Sequence, residues 1–281
     1  MTRWFVKNFV RRVSRAISQK RKLVAPILST PSDQWLEVIA HIARDAGQVI
    51  MAIYQTDFSS RGKEDASPVT EADERAEEVI TAALRLLTPD IPIVAEEAVS
   101  AGHIPQVGDR FWLVDPLDGT KEFINRNGEF TVNIALIEHG KPTLGVVLAP
   151  ALSRLFAGQA GKGAYLEDAQ GRRPIRCRPV PAVGLTVVAS RSHGDAAALD
   201  QFLAGRQVAA LANAGSSLKL CLVAAGEADL YPRLGRTMEW DIAAGHAVLA
   251  AAGGKVETLA GVDLSYGKPG FDNPHFVASA A

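Results

Sequence analysis

The sequence predicts a mixed α and β fold (α/β, with α+β character) arranged in two lobes. Three observations support this prediction. Two long amphipathic helical patterns come first, over 32–54 and 70–87. Short apolar segments of strand length then follow, and a proline-rich stretch at 174–181 separates them from a second alternation of strands and helices. A chain of 281 residues can bury a sizeable core as one large domain or as two lobes.

The first 30 residues carry eight basic side chains and no acidic one, which leaves 22 basic against 31 acidic side chains in the remainder. Apolar residues of this segment share one helical arc, and they are Phe5, Val6, Phe9, Val10, Val13 and Ile17. The pattern predicts a basic amphipathic helix that lies on an anionic membrane surface through residues 1–22, or an organellar transit peptide. A disordered basic tail or a start site assigned too early is the alternative. The acidic remainder argues against a nucleic-acid polymer as the main partner.

Two helices and a loop are predicted next. Ser32 or Asp33 can cap a helix that runs to about Tyr54, and the polar stretch 56–68 reads as a loop. Thr70 begins a second helix with Asp73 in capping-box position. Asp73 is therefore either a helix cap or a residue that lies behind a metal site.

Carboxylates follow two successive predicted strands. The strand at 91–95 ends at Glu96 and Glu97, and the strand at 111–114 ends at the segment Asp115-Pro116-Leu117-Asp118-Gly119-Thr120. Pro116 favours a tight turn in which Asp115 and Asp118 face the same space. Carboxylates this close repel unless a cation intervenes, and Mg²⁺ prefers carboxylate and phosphate oxygens. Because Gly119 and Thr120 add N–H groups and a hydroxyl, the segment predicts a metal and phosphate site.

The rest of the chain predicts an antiparallel sheet and then the second lobe. Strands at 130–137 and 143–149, and others near Leu155 and Tyr165, extend the first sheet. Asp241 lies in the first turn of a later predicted helix, where it is either a helix-dipole partner or cap, or a further metal carboxylate. Other strands and helices of this lobe place polar groups at strand ends and helix N-termini, where anions bind, and these groups are Ser190, Arg191, His193, Ser216, Lys219 and Arg233. Taken singly, each is more often a surface loop or a helix cap than a site.

Three motifs occur in an order that closely resembles the inositol monophosphatase superfamily: Glu96-Glu97, DPLDGT at 115–120 and WDIAAG at 240–245. Further segments are similar to the CysQ-type 3'(2'),5'-bisphosphate nucleotidases of that superfamily, namely SPVTEAD at 67–73, GTKEFINRNGEFTVNIALIEHGKPTLGVV at 119–147, SRSH at 190–193, GSSLK at 215–219, LYPR at 230–233 and WDIAAGHAV at 240–248. The resemblance covers residues 33–281 and leaves residues 1–30 outside.

The resemblance implies a layered αβαβα sandwich with two lobes and the site between them. We expect a basic extension with its linker at 1–30, a metal-site lobe at 31–181 and a substrate-binding lobe at 182–281. By the family pattern, two or three Mg²⁺ ions are held by Glu96, Asp115, the Leu117 carbonyl, Asp118 and Asp241, with Glu97 in support. Thr120 and Asp73, with Glu96, would activate the attacking water, and the N–H groups of Gly119 and Thr120 would hold the phosphate.

The implied reaction removes the 3'-phosphate of 3'-phosphoadenosine 5'-phosphate to give AMP and phosphate, and a related sulfated nucleotide is a further candidate substrate. Arg191, His193, Ser216, Lys219 and Arg233, together with Asp241, are the expected nucleotide contacts. The runner-up function is an inositol or other small-molecule monophosphatase, and the alternative of a different class is an inactive membrane-associated scaffold.

The cysteines favour a reducing compartment. Cys177 and Cys221 lie far apart in sequence without a CxxC spacing, which favours two reduced thiols over a disulfide. We therefore expect a cytoplasmic enzyme, peripheral on the inner face of the cell membrane if residues 1–22 bind there. Targeting to an organelle is the alternative.

Overall fold

The computed structural model describes residues 33–58, 60–62, 68–190 and 196–280, so the predicted N-terminal helix lies outside the described residues. Seven α-helices are found in the described residues: α1 Asp33–Tyr54, α2 Glu71–Leu87, α3 Glu96–Ser100, α4 Thr120–Ile124, α5 Ala196–Leu203, α6 Leu218–Ala224 and α7 Glu239–Ala251. The strands are β1 Ser60–Gly62, β2 Pro68–Thr70, β3 Ile93–Ala95, β4 Arg110–Asp118, β5 Thr131–Glu138, β6 Lys141–Ala149, β7 Arg154–Gln159, β8 Gly163–Asp168, β9 Gly171–Ile175, β10 Leu185–Ser190, β11 Val208–Ala214, β12 Leu230–Arg233, β13 Gly254–Thr258 and β14 Phe276–Ala280.

A seven-stranded sheet, β3 through β9 in sequence order, forms the first sheet layer. β3 and β4 run parallel, with Ala95 opposite Val114, and every later pair in this sheet is antiparallel. The carboxyl ends of two parallel neighbours lie at the same sheet edge, so the acidic residues that follow β3 come close to those of β4. The two strands are neighbours, which is the condition under which their carboxylates converge.

Alternate residues of β4 enter two different apolar cores. Trp112 and Val114 pack with α1 and α2 on one face, whereas Phe111 and Leu113 pack on the other face in the core that contains α6 and α7. Successive side chains of a strand point to opposite faces, and here both faces are covered. This explains why the strand is almost continuously apolar in sequence.

The second sheet has five strands in the order β11-β10-β12-β14-β13. β10 runs parallel to both β11 and β12, so α5 and α6 are crossovers that run in opposite directions along the sheet. Because such crossovers are right-handed in nearly all proteins, the two helices lie on opposite faces. α6 packs against α7 between the sheets, which makes α5 the outer layer. The layers follow the order α1/α2, large sheet, α6/α7, small sheet and α5, and the predicted αβαβα sandwich is confirmed.

The strands differ from the sequence prediction at several places, and β9 is one that was not predicted. The stretch 56–68 is not wholly a loop, because β1 pairs with β2 in an antiparallel ribbon. β11 and β13 were not predicted: β11 is rich in alanine and lies exposed at the edge of its sheet, so it lacks the apolar alternation that marks a half-buried strand. The lobe boundary at 181/182 stays a prediction.

Both cysteines carry free thiols, as predicted. In the described part of the chain, none of the helices combines the length and the hydropathy that a membrane span requires.

Candidate active site

The metal-site segment is a bulge in β4, and the prediction of a tight turn at this point is wrong. β4 continues through Asp118, and Asp115 and Asp118 pair with Asn133 and Thr131, so β4 carries one more residue than β5 over this interval. Pro116 has no N–H to donate to the sheet, and a bulge accommodates it while the strand continues. The Asp115 side chain accepts the N–H of Leu117 at 3.0 Å. Two carboxylates therefore leave a single distorted strand close together.

Four carboxylates from three elements interact at this place, and they belong to Glu96, Asp115, Asp118 and Asp241. Burial, followed by repulsion from Glu96 and Asp118, raises the pKa of Asp115 well above its ordinary value. Burial raises the pKa of Asp118 to about 6, although the ammonium of Lys219 opposes the increase. The pKa of Asp241 is raised as well, by burial and then by Asp118 and Glu96. The cluster therefore carries more negative charge than its protein surroundings balance.

This donor set fits a hard divalent cation. In the residues described by the structure, no group of three or more His, Cys, Asp or Glu side chains has a preformed metal-binding arrangement. The chemistry of the four carboxylates nevertheless matches Mg²⁺, which binds through oxygen and retains water molecules and substrate phosphate in its shell. An added cation would also relieve the mutual repulsion that raises these pKa values.

Asp241 serves as a helix cap and lies at the site at the same time. It is the third residue of α7, and its Oδ2 accepts the N–H of Met238 at 2.8 Å. Repulsion between Asp241 and two carboxylates of the other elements, Asp118 and Glu96, shows that it also lies within reach of the cluster. The two roles that the sequence left open, helix cap and metal carboxylate, are compatible, because Oδ2 accepts the cap hydrogen bond and Oδ1 is a second oxygen of the same carboxylate.

Glu77 was missed by the sequence analysis. It is 8 % exposed, and its two carboxylate oxygens accept the N–H groups of Glu97 and Ala98 at 2.8 and 2.9 Å. These bonds fix the first turn of α3, which begins with Glu96. The available signal was its position four residues after Asp73, on the same face of α2.

Asp73 connects the start of α2 to the site. Its Oδ2 accepts the N–H and the hydroxyl of Thr70 at 2.9 and 2.6 Å, which completes the predicted capping box. Its Oδ1 accepts the hydroxyl of Thr120 at 3.3 Å. The prediction of a cap is confirmed, and the same carboxylate also contacts the residue that begins α4.

Gly119 allows the segment that follows β11 to approach the end of β4 closely. Its φ is +91°, in the left-handed region, and a Cβ at this position would collide with the hydroxyl of Ser216. That hydroxyl lies 2.8 Å from the backbone carbonyl oxygen of Asp118 and 2.6 Å from that of Glu129. Since a hydroxyl has one proton, it donates to one of these oxygens at a time.

A pocket of about 650 Å³ opens above the carboxylates, and six of the residues that line it are Glu96, Asp118, Lys219, Arg233, Arg236 and Asp241. Lys219 is 4 % exposed and donates to the carbonyl oxygens of Ser216 and Ala214 at 2.6 and 3.3 Å. Burial lowers the pKa of Lys219 to about 8, although Asp118 favours its charged form. The lining thus combines acidic side chains with basic ones, and Lys121 is a further basic residue of it.

Arg233 and Arg236 form the basic rim of the pocket. Arg233 donates through Nη2 to the carbonyl oxygen of Arg236 at 2.7 Å, and its buried Nε has no hydrogen-bond partner among the described residues. Arg236 donates through Nε to Asp272 at 3.0 Å. Arg236 was not predicted, although its spacing of three residues from Arg233 was visible in the sequence. Arg191 and His193 lie outside the described residues, and the individual roles of the predicted site residues stay predictions.

Comparison with known proteins agrees with this arrangement. Residues 32–279 match the model of the inositol monophosphatase family. The chain is 49 % identical over 247 residues to the 3'(2'),5'-bisphosphate nucleotidase CysQ of Escherichia coli K12. The aligned region covers 87 % of this chain and 99 % of that protein. It is 50 % identical to the same enzyme of Salmonella typhimurium over 86 % of this chain and 98 % of the relative.

Solved structures show the same fold. The crystal structure of CysQ from Bacteroides thetaiotaomicron matches with a TM-score of 0.73 at 36 % identity, over 87 % of this chain and 96 % of the other. The inositol monophosphatase TM1415 of Thermotoga maritima matches with a TM-score of 0.72 at 28 % identity, over 88 % and 92 % of the two chains. The resemblance inferred from the sequence motifs is confirmed: the chain belongs to the inositol monophosphatase family.

Proposed function

We propose that this chain is a Mg²⁺-dependent phosphatase that removes the 3'-phosphate of 3'-phosphoadenosine 5'-phosphate and releases AMP and phosphate. The observation that carries the proposal is the pocket itself, whose lining combines the half-buried carboxylates of Glu96, Asp118 and Asp241 with the cationic side chains of Lys219, Arg233 and Arg236. Identity of 49–50 % to bisphosphate nucleotidases, along almost their whole length, supports the same substrate class. A phosphatase of this kind acts on a small molecule and has no use for a nucleic-acid polymer.

The residues that would hold Mg²⁺ are Glu96, Asp115, Asp118, Asp241 and the backbone carbonyl of Leu117, and we propose two or three ions. Bound Mg²⁺ would neutralise the phosphoryl oxygens and make a coordinated water more acidic. Glu97 supports this group from the first turn of α3, where Glu77 anchors its N–H.

Thr120 and Asp73 orient the attacking water in this proposal. The 3.3 Å bond between their side chains sets the direction of the Thr120 hydroxyl, and the Asp73 carboxylate can accept the proton that the water loses. The N–H groups of Gly119 and Thr120, at the beginning of α4, hold the phosphate. The water attacks phosphorus in line with the departing 3'-oxygen, and no protein nucleophile takes part.

The second phosphate distinguishes a nucleotide bisphosphate from a simple monophosphate. It adds charge away from the reacting atom and needs its own cations. Arg233 is suited to this task because its buried Nε has no hydrogen-bond partner within the described part of the chain. Lys219 adds positive charge near both Asp118 and Arg233. Its ammonium lowers the pKa of Asp118, and repulsion from Arg233 lowers the pKa of Lys219 itself.

Replacing Arg233 tests the substrate assignment. Arg233→Ala should raise the KM for 3'-phosphoadenosine 5'-phosphate about tenfold or more, because it removes a hydrogen bond to a charged group. Turnover of myo-inositol 1-phosphate should change less than about twofold. Steady-state phosphate release measures both, with Arg75→Ala on the outer helix α2 as the matched control for loss of an arginine.

Equal losses for the two substrates would contradict the role of Arg233. Asp118→Asn provides the second control, since it should abolish turnover of both substrates at any Mg²⁺ concentration while the circular dichroism spectrum is unchanged. Retained turnover in Asp118→Asn would reject the metal assignment. If myo-inositol 1-phosphate is the better substrate of the unaltered protein, the runner-up function is correct.

The last part of the proposal concerns where the protein is located, and it depends on residues 1–22. We place the enzyme in the cytoplasm, with its basic N-terminal segment at the inner face of the membrane. The charge and apolar spacing of that segment support this placement. Deleting residues 1–30 should release the protein from anionic vesicles and leave activity unchanged, whereas failure of the full-length chain to bind such vesicles would refute it.

A further inference from the structure

The segment Gly215-Ser216-Ser217, between β11 and α6, touches the metal-site strand at several points. The Gly215 N–H donates to Oε2 of Glu129 at 2.8 Å. The Ser216 hydroxyl lies at hydrogen-bond distance from the carbonyl oxygens of Asp118 and Glu129. The Ser217 N–H lies near the Asp118 carboxylate and favours its charged form, which lowers the pKa of Asp118. A segment that belongs to the second sheet is thereby bonded to a residue that we place among the Mg²⁺ ligands.

This segment is held in a conformation that it would not adopt freely. Ser216 has a φ of +52°, in the left-handed region that residues with a Cβ avoid. Such a conformation persists only where surrounding contacts determine it, and the contacts here come from the residue before Ser216 and from its own hydroxyl. Both contacts lead to Glu129, one to its carboxylate and one to its backbone carbonyl.

The packing leaves no room for an alternative arrangement. A Cβ on Gly215 would lie 2.6 Å from the carbonyl oxygen of Glu129 and 2.9 Å from Cγ of Glu122. The segment therefore lies directly on the loop that precedes β5, and Glu129 is the residue that meets it with both backbone and side chain. Lys219, one turn further on, is attracted by Asp118 and by Glu129.

We propose that Glu129 is a positioning residue: by holding the Gly215 N–H, it directs the Ser216 hydroxyl and the Ser217 N–H to Asp118 and so sets the affinity of the site for Mg²⁺. The inference rests on the proposed metal-dependent phosphatase function for its activity readout. Glu129 touches neither the phosphate nor the attacking water in this assignment. It acts through the 215–217 segment.

The test uses the full-length protein, with Mn²⁺ as a probe whose binding is followed by electron paramagnetic resonance in the absence of substrate. Glu129→Ala should weaken Mn²⁺ binding about tenfold, the effect expected for a lost hydrogen bond to a carboxylate. The Mg²⁺ concentration for half-maximal activity should increase by a similar factor. Glu129→Gln should stay within about twofold of the unaltered protein, because its amide oxygen still accepts the Gly215 N–H.

Glu37→Ala is the matched control, since Glu37 lies on α1 and pairs with Arg172 at the surface, on the other side of the large sheet. It should leave Mn²⁺ binding unchanged. Ser216→Gly is the second variant: it removes the hydroxyl and relieves the positive φ. It should weaken Mn²⁺ binding without lowering the melting temperature. In the double variant Glu129→Ala with Ser216→Gly, the factor by which Mn²⁺ affinity falls should be smaller than the product of the factors for the two single variants.

The inference is overturned if Glu129→Ala binds Mn²⁺ as the unaltered protein does and only its melting temperature falls. It is also overturned if Glu129→Gln is as impaired as Glu129→Ala, because the accepting oxygen would then be irrelevant. If Glu129→Ala does not fold, unchanged Mn²⁺ binding by Ser216→Gly is the result that rejects it. Absence of phosphatase activity in the unaltered protein would instead reject the proposed function, whatever the variants bind.

Discussion

Asp118 illustrates the conflict that each acidic residue of the site faces. Its carboxylate is buried beside other carboxylates, and burial raises its pKa to about 6 in the absence of an ion. Lys219 and the Ser217 N–H lower the pKa but do not restore its ordinary value. The site is therefore arranged for a cation at the expense of the stability of the ion-free protein.

This conflict predicts how stability depends on pH. The pKa of Asp118 is higher in the folded chain than in the unfolded chain, so the folded state holds the proton more strongly. Stability from this carboxyl is present below about pH 4 and is lost as the pH rises through about 6. In EDTA, Asp118→Asn should therefore melt about 3 °C above the unaltered protein at pH 7.5. This gain should decrease as the pH falls through about 6 and vanish only below about pH 4.

The comparison between the two proteins removes titrations that do not depend on Asp118, whereas the pKa values of Asp115 and Asp241 decrease with its charge removed. Burial lowers the pKa of His246 to about 4, which destabilises both proteins equally on acidification. Saturating Mg²⁺ at pH 7.5 should raise the melting temperature of the unaltered protein but not that of Asp118→Asn. Scanning calorimetry checks both statements, and a melting difference that does not change with pH would contradict them.

Helix α7 places Asp241, and its position depends on small residues. Gly145 of β6 and Gly158 of β7 lie under the helix, where a Cβ on Gly158 would be 2.8 Å from Cα of Val248. A Cβ on Gly145 would be 2.7 Å from Cβ of Ala247 and closer still to the carbonyl oxygen of Ala244. The helix therefore packs directly against the backbone of the large sheet.

Substituting Gly145 tests this packing. Gly145→Ala should lower the free energy of unfolding by about 1–3 kcal/mol, the usual cost of overpacking, and should lower kcat because α7 carries Asp241. Gly108→Ala is the control, since nothing lies within 4 Å of its added Cβ. Urea denaturation measures both variants. Equal stability of the two would show that α7 does not depend on close contact with β6.

At the scale of elements, the sequence predicted what local patterns determine. α1 and α2 carry long apolar stripes, and the capping box of Thr70 and Asp73 marked the start of α2 correctly. α7 was predicted as a helix as well, but it is buried on nearly all sides and not along one stripe. The bulge in β4 was not predicted, because Pro116 and Gly119 are as typical of a turn as of a distorted strand. β11 was missed because its alanines show no alternation.

At the scale of the whole molecule, the site forms where the two sheets and the helices between them meet. The parallel pairing of β3 and β4 brings Glu96 to Asp115, and α7 adds Asp241 from more than 120 residues further along the chain. The acidic motifs could be recognised in sequence because each is short and contiguous. Glu77, Glu129 and Arg236 were missed because their contacts arise from packing between elements distant in sequence, and the spacing of Glu77 from Asp73 or of Arg236 from Arg233 does not by itself indicate a site.

The most direct test of the central claim is the identity of the substrate and product. The purified protein is incubated with 3'-phosphoadenosine 5'-phosphate or with myo-inositol 1-phosphate, with Mg²⁺ or EDTA, and nucleotides and phosphate are quantified by chromatography. The account predicts one AMP and one phosphate for each bisphosphate consumed, only with Mg²⁺, and a much lower kcat/KM for the inositol phosphate. Release of the 5'-phosphate, turnover in EDTA, or a preference for myo-inositol 1-phosphate would contradict it.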